Sequence, residues 1–258
     1  MAAIYATNDD VLMRKAIKSF DDSRLPNGLT ASRFPSYIVQ VIPTYSLIWV
    51  DMINDYFMYR EDAPFLEQFL PGMVTVLDWF ARHIDDTGLL ANLDWWNFTD
   101  WTKGFQNGIP PGADDGHSAN VSLQYVYALQ NAVPIFRHFG WEIEAKRYEE
   151  SAKKLQNAIL QSSYDTNKYL IAERPEKDVF SQHTNIFGVL TETIPVKNHQ
   201  SVMKQVLTDT SLIQTSIYFK FYLVRALQKA GMGSEYFNQL GPWKYMLDQS
   251  MTTFDQLK

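Results

Sequence analysis

The chain has 258 residues, 46% of them hydrophobic and 14% aromatic, which is enough for a sizeable core. With no linker-like stretch, residues 1–258 are expected to form a single domain. A formal net charge of −6 without any basic patch argues against a nucleic-acid partner. Cysteine is absent, which removes disulfides and thiolate metal sites, and no apolar run approaches the roughly 18 residues of a membrane span.

Helical periodicity dominates the chain. Residues 2–7 read as the last turns of a helix that lacks its beginning, so an incomplete amino end is expected to hide any signal and leave the compartment open. Asn8 is placed to cap a helix running to about Phe20, with Val11, Leu12, Ala16 and Ile17 on one face. Pro26, Gly28 and Pro35 make 22–40 an irregular excursion. Pro43 suits the first turn of a helix reaching about Arg60 that is apolar nearly all round, and such a helix is buried on most sides. Asp62-Ala63-Pro64 opens an amphipathic helix to about Asp85, with a kink at Pro71-Gly72.

After a stop at Gly88 comes DWWNFTDW over 94–101, three indoles, a phenyl ring and two carboxylates in one short loop. Unpaired buried charge is costly, so a purely buried role explains the mixture poorly. Sugar recognition explains it well: rings stack on the apolar face of a pyranose while carboxylates accept from its hydroxyls. The alternative is an aromatic plug under a long loop, with the aspartates as caps or solvated turn residues.

GIPPGADDGHSAN over 108–120 holds Asp114, Asp115 and His117 in rigid turns before Ser118 caps a long apolar helix that Gly140 ends. These groups either line a site or serve as ordinary carboxylates and a cap neighbour at a helix start. The segment 141–160 is charged on one face and reads as an outer helix. Ser181-Gln182-His183-Thr184-Asn185 opens an inner helix with polar groups that must meet each other, water or a ligand. Further helices are expected over 182–190, 198–207, 214–230, 235–240 and 242–250. Thr215, Tyr218, Phe219 and Tyr222 stand near helical spacing, as cavity-facing rings or as core. Glu173-Arg174 and Arg24 read as solvated or paired loop charges.

Apolar and amphipathic helices thus alternate as hairpins with unequal loops. That pattern fits an all-α, (α/α)6 toroid of inner and outer helices whose loop end forms a cup, here with about ten helices where a complete ring has twelve. A helical array that binds protein is the alternative at the level of fold. No HExxH, GxSxG, GxGxxG or Walker pattern is present, so no metal ligand set is identified. The remaining chemistry is that of carboxylates and aromatic rings, which suits glycoside hydrolysis, with Asp94, Asp100, Asp115 and Asp255 as candidates.

DSRLPNGL, SRFPS, DWWNFTDW, PPGADDGHSA leading into LQYVYAL, FSQHTNIFGVL, TSIYFKFYLVRAL and GPWKYML followed by MTTF resemble, in order and over nearly the whole chain, the catalytic domain of bacterial alpha-L-rhamnosidases. The resemblance implies a six-hairpin fold and inverting removal of terminal alpha-L-rhamnose from rhamnosides by a general acid and a general base, without a cofactor. It implies a bacterial protein, cytoplasmic or periplasmic, and says nothing of oligomeric state.

By the same resemblance Asp100 and Trp101 match a pair that contacts the sugar, and Trp95 and Trp96 match neighbouring pocket aromatics, with Asp94 beside them. Asp115, His117, Gln182, His183 and Tyr218 match motif positions facing the pocket. The family's general acid is expected upstream of this chain. Its general base is expected at Gln256, where an amide cannot take up a proton as a carboxylate does. Asp255 is adjacent but projects elsewhere. Two functional expectations follow: a rhamnosidase domain active in an intact parent, or a carbohydrate-binding fragment that does not cleave.

Overall fold

Each helix start and stop has a local cause. The computed structural model describes residues 2–251. Helix α1 (Ala2–Thr7) ends where Asn8 enters the left-handed region at φ 58, a conformation asparagine tolerates. Asn8 was expected to cap the next helix; instead its amide donates back to Ile4, and Arg60 binds both its carbonyl and its side chain. Asp9 accepts from the Val11 amide at the start of α2 (Val11–Asp22).

Helix α3 (Pro43–Tyr59) begins at its proline as expected. The helix expected from Asp62 to about Asp85 is two, α4 (Ala63–Glu67), capped by Asp62 on the Phe65 amide, and α5 (Leu70–Ala81). Pro71 therefore stands in the first turn of a new helix, where a missing N–H costs nothing. Ser118 caps α6 (Ala119–His138). Helix α7 (Glu142–Ser163) leads into a short antiparallel hairpin, β1 (Tyr164–Asp165) and β2 (Leu170–Ile171).

Ser181 caps α8 (Gln182–Leu190) through the Thr184 amide. Then follow α9 (His199–Thr208), α10 (Lys220–Lys229), a 3-10 stretch (Gly233–Leu240) and α11 (Gly241–Asp248). None of the described helices is long and apolar enough to cross a membrane.

Helices α3, α6, α8 and α10 form an arc in that order, each packed on the next, and Arg225 of α10 reaches back to Asp55 of α3 at 3.4 Å. Behind this arc lie α2 and α5 against α3, α7 against α6, and α9 against α8. The layering is inner on outer, as the alternation of apolar and amphipathic segments predicts. Trp49 of α3 donates to the Ile17 carbonyl and carries the Arg24 guanidinium on its ring, which ties α2 to α3. A continuous apolar core runs from Ile4 through Trp49, Phe80, Tyr125 and Phe187 to Ala230.

The inner helices run parallel. Near their amino ends Thr44 donates to the Phe98 carbonyl, Asn120 to Thr184, and Thr215 to Gln182; at their carboxyl ends Lys229 donates to the Leu190 carbonyl. Four positive helix ends therefore gather at one end of the molecule, under the long connections.

Glu173 is not a solvated loop charge. It is fully buried beneath the starts of α6 and α8, where its Oε1 accepts from Ser181 and Thr184 while Oε2 has no partner. Burial pushes its carboxyl from 4.5 up to about 7, against the two hydroxyl hydrogen bonds. A carboxyl with a raised folded pKa stabilises most at low pH, and that contribution is lost as pH rises from about 4.5 through about 7. Glu173→Gln, which keeps the shape of the protonated acid, is expected to raise the melting temperature at pH 8 by several degrees, on the order of 2 to 3 kcal/mol. Melting curves at pH 8 and pH 4.5 check this, since the gain should vanish at the lower pH.

Candidate functional site

The aromatic loop lies over the gathered helix ends. Its backbone is held by a second strand of chain: the Thr99 amide donates to the Gly108 carbonyl at 2.8 Å, and the Trp96 indole donates to the Asn107 carbonyl at 3.0 Å. Gly108, at φ 74, presses so close to the Phe98 ring that a Cβ there would lie 2.4 Å from it. Trp96, Phe98 and Trp101 contact one another with ring centroids 5.1 to 5.8 Å apart, and Tyr45 of α3 meets the edge of Phe98. Phe98 is buried, whereas Trp101 stays 63% exposed and Trp95, next to Trp96 in the chain, is exposed as well. The result is a shelf with a buried root and open indole faces.

Asp100 holds the shelf down. Its carboxylate is 1% exposed and accepts from His183 Nε2 at 2.8 Å, from the Ser216 amide at 2.9 Å and from the Ser216 hydroxyl. Burial alone would raise this carboxyl; the hydrogen bonds from His183 and Ser216 outweigh it and hold the group below its ordinary value. His183, flanked by the rings of Phe105 and Phe219, is driven down by burial against the pull of Asp100. The pair is therefore a neutral imidazole donating to a carboxylate, and His183 Nδ1 is left bare and buried.

Gln182 is committed in the same way. It donates to the Val206 carbonyl and to Gln214, and it accepts from the amide and hydroxyl of Thr215. Helix α10 starts at Lys220 and not near Gln214; in the segment before it the amides of Thr215 and Ser216 are taken by Gln182 and Asp100. Asp100, expected to contact the sugar, and Gln182 and His183, expected to face the pocket, have their polar groups bonded to protein under the shelf.

The other expected residues are distributed more widely. Tyr218 is half exposed, and burial together with the charges of Asp100 and Asp51 raises its phenol. Asp94 is exposed at the shelf's outer end. Asp115 is exposed, 3.6 Å from Arg174, and His117 is tied to Asp85 at 2.7 Å, so neither joins the shelf. Asp255 and Gln256 lie outside the described residues.

One wall escaped the sequence. Along α3, Tyr45, Asp51 and Asp55 keep accessible surface although protein surrounds them, and Tyr127 and Asn131 of α6 and Tyr222 and Arg225 of α10 face them. Asn131 donates to Asp51 at 2.8 Å, and burial raises the Asp51 carboxyl well above its ordinary range. Two aspartates four residues apart in an otherwise apolar helix were the available signal. Among the described residues no three or more His, Cys, Asp or Glu side chains gather as a metal site.

Comparison with known proteins places this geometry. Residues 1–254 match the model of the bacterial alpha-L-rhamnosidase 6 hairpin glycosidase domain. No curated protein matches the chain. Among solved structures, the GH78 family rhamnosidase of Bacillus sp. GL1 is similar at a TM-score of 0.85 and 20% identity, over 99% of this chain and 28% of that one. A Klebsiella oxytoca rhamnosidase with rhamnose bound gives 0.76 and 21%, over 92% and 45%. The Streptomyces avermitilis alpha-L-rhamnosidase complexed with L-rhamnose gives 0.67 and 13%, over 94% and 23%. The chain thus spans less than half the length of each of these proteins, and at such identities the likeness speaks to fold.

Removing the anchor should be costly. Asp100→Ala, which strands the His183 N–H and the Ser216 hydroxyl, is expected to lower stability by about 2 to 5 kcal/mol in denaturant unfolding, at about 1 to 3 kcal/mol for each buried donor left unpaired. Because the folded carboxyl is held below 3.8, its contribution is present above that pH and is lost as pH falls through the folded value. The gap between the wild type and Asp100→Asn should therefore stay level from pH 8 to 5 and close in stronger acid; a gap independent of pH would contradict an ionised anchor.

Proposed function

The chain belongs to the bacterial alpha-L-rhamnosidase six-hairpin glycosidase domain family, and we propose that it forms the sugar-holding cup of an alpha-L-rhamnosidase acting on terminal alpha-L-rhamnose. The observation that carries this is the open indole face of Trp101 at the positive ends of four inner helices. A 6-deoxyhexose offers an apolar face with a methyl group to such a ring, and hydroxyls to groups around it. Trp95 and Trp96 extend the platform; Tyr45 and Tyr218 border it, with Asp94 at its rim and Asp51 on the wall below.

The expected reaction is inverting hydrolysis. A carboxylic acid protonates the leaving oxygen while a second carboxylate, roughly 6.5 to 9.5 Å away, activates water on the opposite face. Burial raises the Asp51 carboxyl well above its ordinary range, but its hydrogen bond from Asn131 and its place on the wall suit it to a sugar hydroxyl, and no catalytic role is assigned to it. At position 256, where the family resemblance expects the base, the amide leaves water unactivated. Gln256 therefore favours the second reading, in which this chain retains rhamnose without cleaving it.

Calorimetric titration with L-rhamnose should give saturable heat, weakened about tenfold by Trp101→Ala if stacking supplies about 1.4 kcal/mol. Absence of heat would favour a helical scaffold for protein partners. Incubation with p-nitrophenyl alpha-L-rhamnoside should release no nitrophenol above background; turnover near the 1 to 1,000 per second usual for enzymes would show that the acid and base are present after all.

A further inference from the structure

Glu173 belongs neither to the shelf nor to the wall, yet one chain of hydrogen bonds leads from it to the aromatic loop. Its Oε1 accepts from the Thr184 hydroxyl, and Thr184 Oγ1 accepts from Asn120 Nδ2 at 3.1 Å. Asn120 Oδ1 accepts from Gln124 Nε2 at 2.8 Å, and the same Gln124 nitrogen donates to Thr99 Oγ1 at 3.1 Å. All five residues are buried. We infer that Glu173 is a positioning residue that acts through Thr184 and Asn120 to turn the Gln124 amide, so that the Gln124 carbonyl oxygen accepts a hydroxyl of the sugar in the cup. The inference rests on the sugar-binding reading above.

The direction of the chain follows from its hydrogens. Thr184 has one hydroxyl hydrogen, and Glu173 takes it. Above about pH 7, to which burial raises its carboxyl, Glu173 is ionised and its oxygens only accept. Thr184 Oγ1 must then meet a donor, which turns the Asn120 nitrogen towards it and the Asn120 oxygen towards Gln124. Gln124 must in turn offer its nitrogen. Run backwards, the series would need a second hydrogen on Thr184, and an amide flipped alone would set two oxygens, or two N–H groups, face to face.

The Gln124 oxygen is the group left over. The amide nitrogen is bonded to protein on both sides, whereas Oε1 has no partner among the described residues and, unlike Glu173 Oε2 and His183 Nδ1, is not sealed from solvent. Gln124 as a whole keeps only 7% of its surface, so this opening is narrow. It shares a face of α6 with Tyr127 and Asn131, three and seven residues on, and Asn131 donates to Asp51 of the wall. Its bond to Thr99 places it beneath the aromatic loop. Gln124 thus belongs to the frame by its nitrogen and to the surface by its oxygen. An acceptor fixed in this way rewards a ligand hydroxyl and rejects a ligand that brings only another acceptor.

Two variants cut the chain at pH 8. Thr184→Val does so while Ser181 still bonds the carboxylate, and Glu173→Leu removes the terminal acceptor. Calorimetric affinity for L-rhamnose should fall about fivefold in each, the equivalent of one neutral hydrogen bond. The double variant should lose no more than either single one, because both cuts release the same amide. Glu173→Gln, whose carbonyl can take both hydroxyls, should restore wild-type affinity. In NMR spectra, L-rhamnose should shift the Gln124 Cδ signal of the wild type, and the Gln124 amide hydrogens should exchange faster in ligand-free Thr184→Val than in the wild type.

Wild-type affinity in a folded Thr184→Val would overturn the inference, as would an unmoved Gln124 Cδ signal in a chain that binds L-rhamnose. Absence of binding by the wild type would overturn the sugar reading and with it the role of Gln124 Oε1. Faster amide exchange in Thr184→Val would even then support the positioning of Gln124 by Glu173.

Discussion

An ionised carboxylate with almost no access to water is the constraint on which the site depends. Isolated in the interior, Asp100 would cost several kcal/mol. It is tolerated because three donors converge on it, two of them from Ser216 and one from His183, residues 116 and 83 positions away in the chain. Each donor also fixes something else. His183 belongs to the first turn of α8, and Ser216 to the segment entering α10. The bond network therefore sets where the aromatic loop rests against α8 and the segment before α10. Trp101 is the next residue after this anchor, so the orientation of its open ring follows from the position of its buried neighbour.

The same economy separates frame from surface throughout the cup. Gln182, Asn120 and Gln124 are buried and bonded to protein, while Tyr45, Tyr218 and Asp51 keep accessible surface at the edge of enclosed space. Groups of the second kind are raised by burial yet remain in reach of a ligand. A raised carboxyl or phenol favours its protonated form, which donates as well as accepts, as hydroxyls do. Asp55 differs, because Arg225 offsets part of its burial at 3.4 Å. That ion pair closes the arc of inner helices and leaves Asp51 as the wall's unpaired acid.

The helices were legible from periodicity and caps because those signals are local. Pro43, Ser118 and Ser181 open their helices where expected, and the inner or outer place of α6 and α7 follows from their faces. The errors came where a long-range partner overrides the local pattern. Asn8 ends one helix and does not begin another, since Arg60, 52 residues on, claims it. Thr215 and Ser216 show helical spacing but give their amides to Gln182 and Asp100. The site was legible as a set of residue types and not as a set of roles. DWWNFTDW announced both the carboxylate and the rings, yet nothing in eight letters says which carboxylate turns inward. Glu173 carried no local mark at all, because burial is a property of the whole fold, and the mark on Asp51, a pair of aspartates four residues apart in α3, does not say which of the two is left without a cation.

Holding a sugar and cleaving its bond place different demands on this frame. Binding needs a ring face, a few hydroxyl partners and rigidity, and the proposed site would draw on the shelf, the wall and the buried anchor for these. Inverting cleavage adds two carboxyl groups spaced to admit a water, one giving a proton and one removing a proton. An amide in place of the second keeps a carbonyl that can accept a hydrogen bond from the same water, and so retains most of the orientation while losing the basicity. Since general acid–base groups typically contribute factors of 10² to 10⁴ in rate while a neutral hydrogen bond is worth about 1 kcal/mol in affinity, an amide in place of such a base would act far more on turnover than on occupancy.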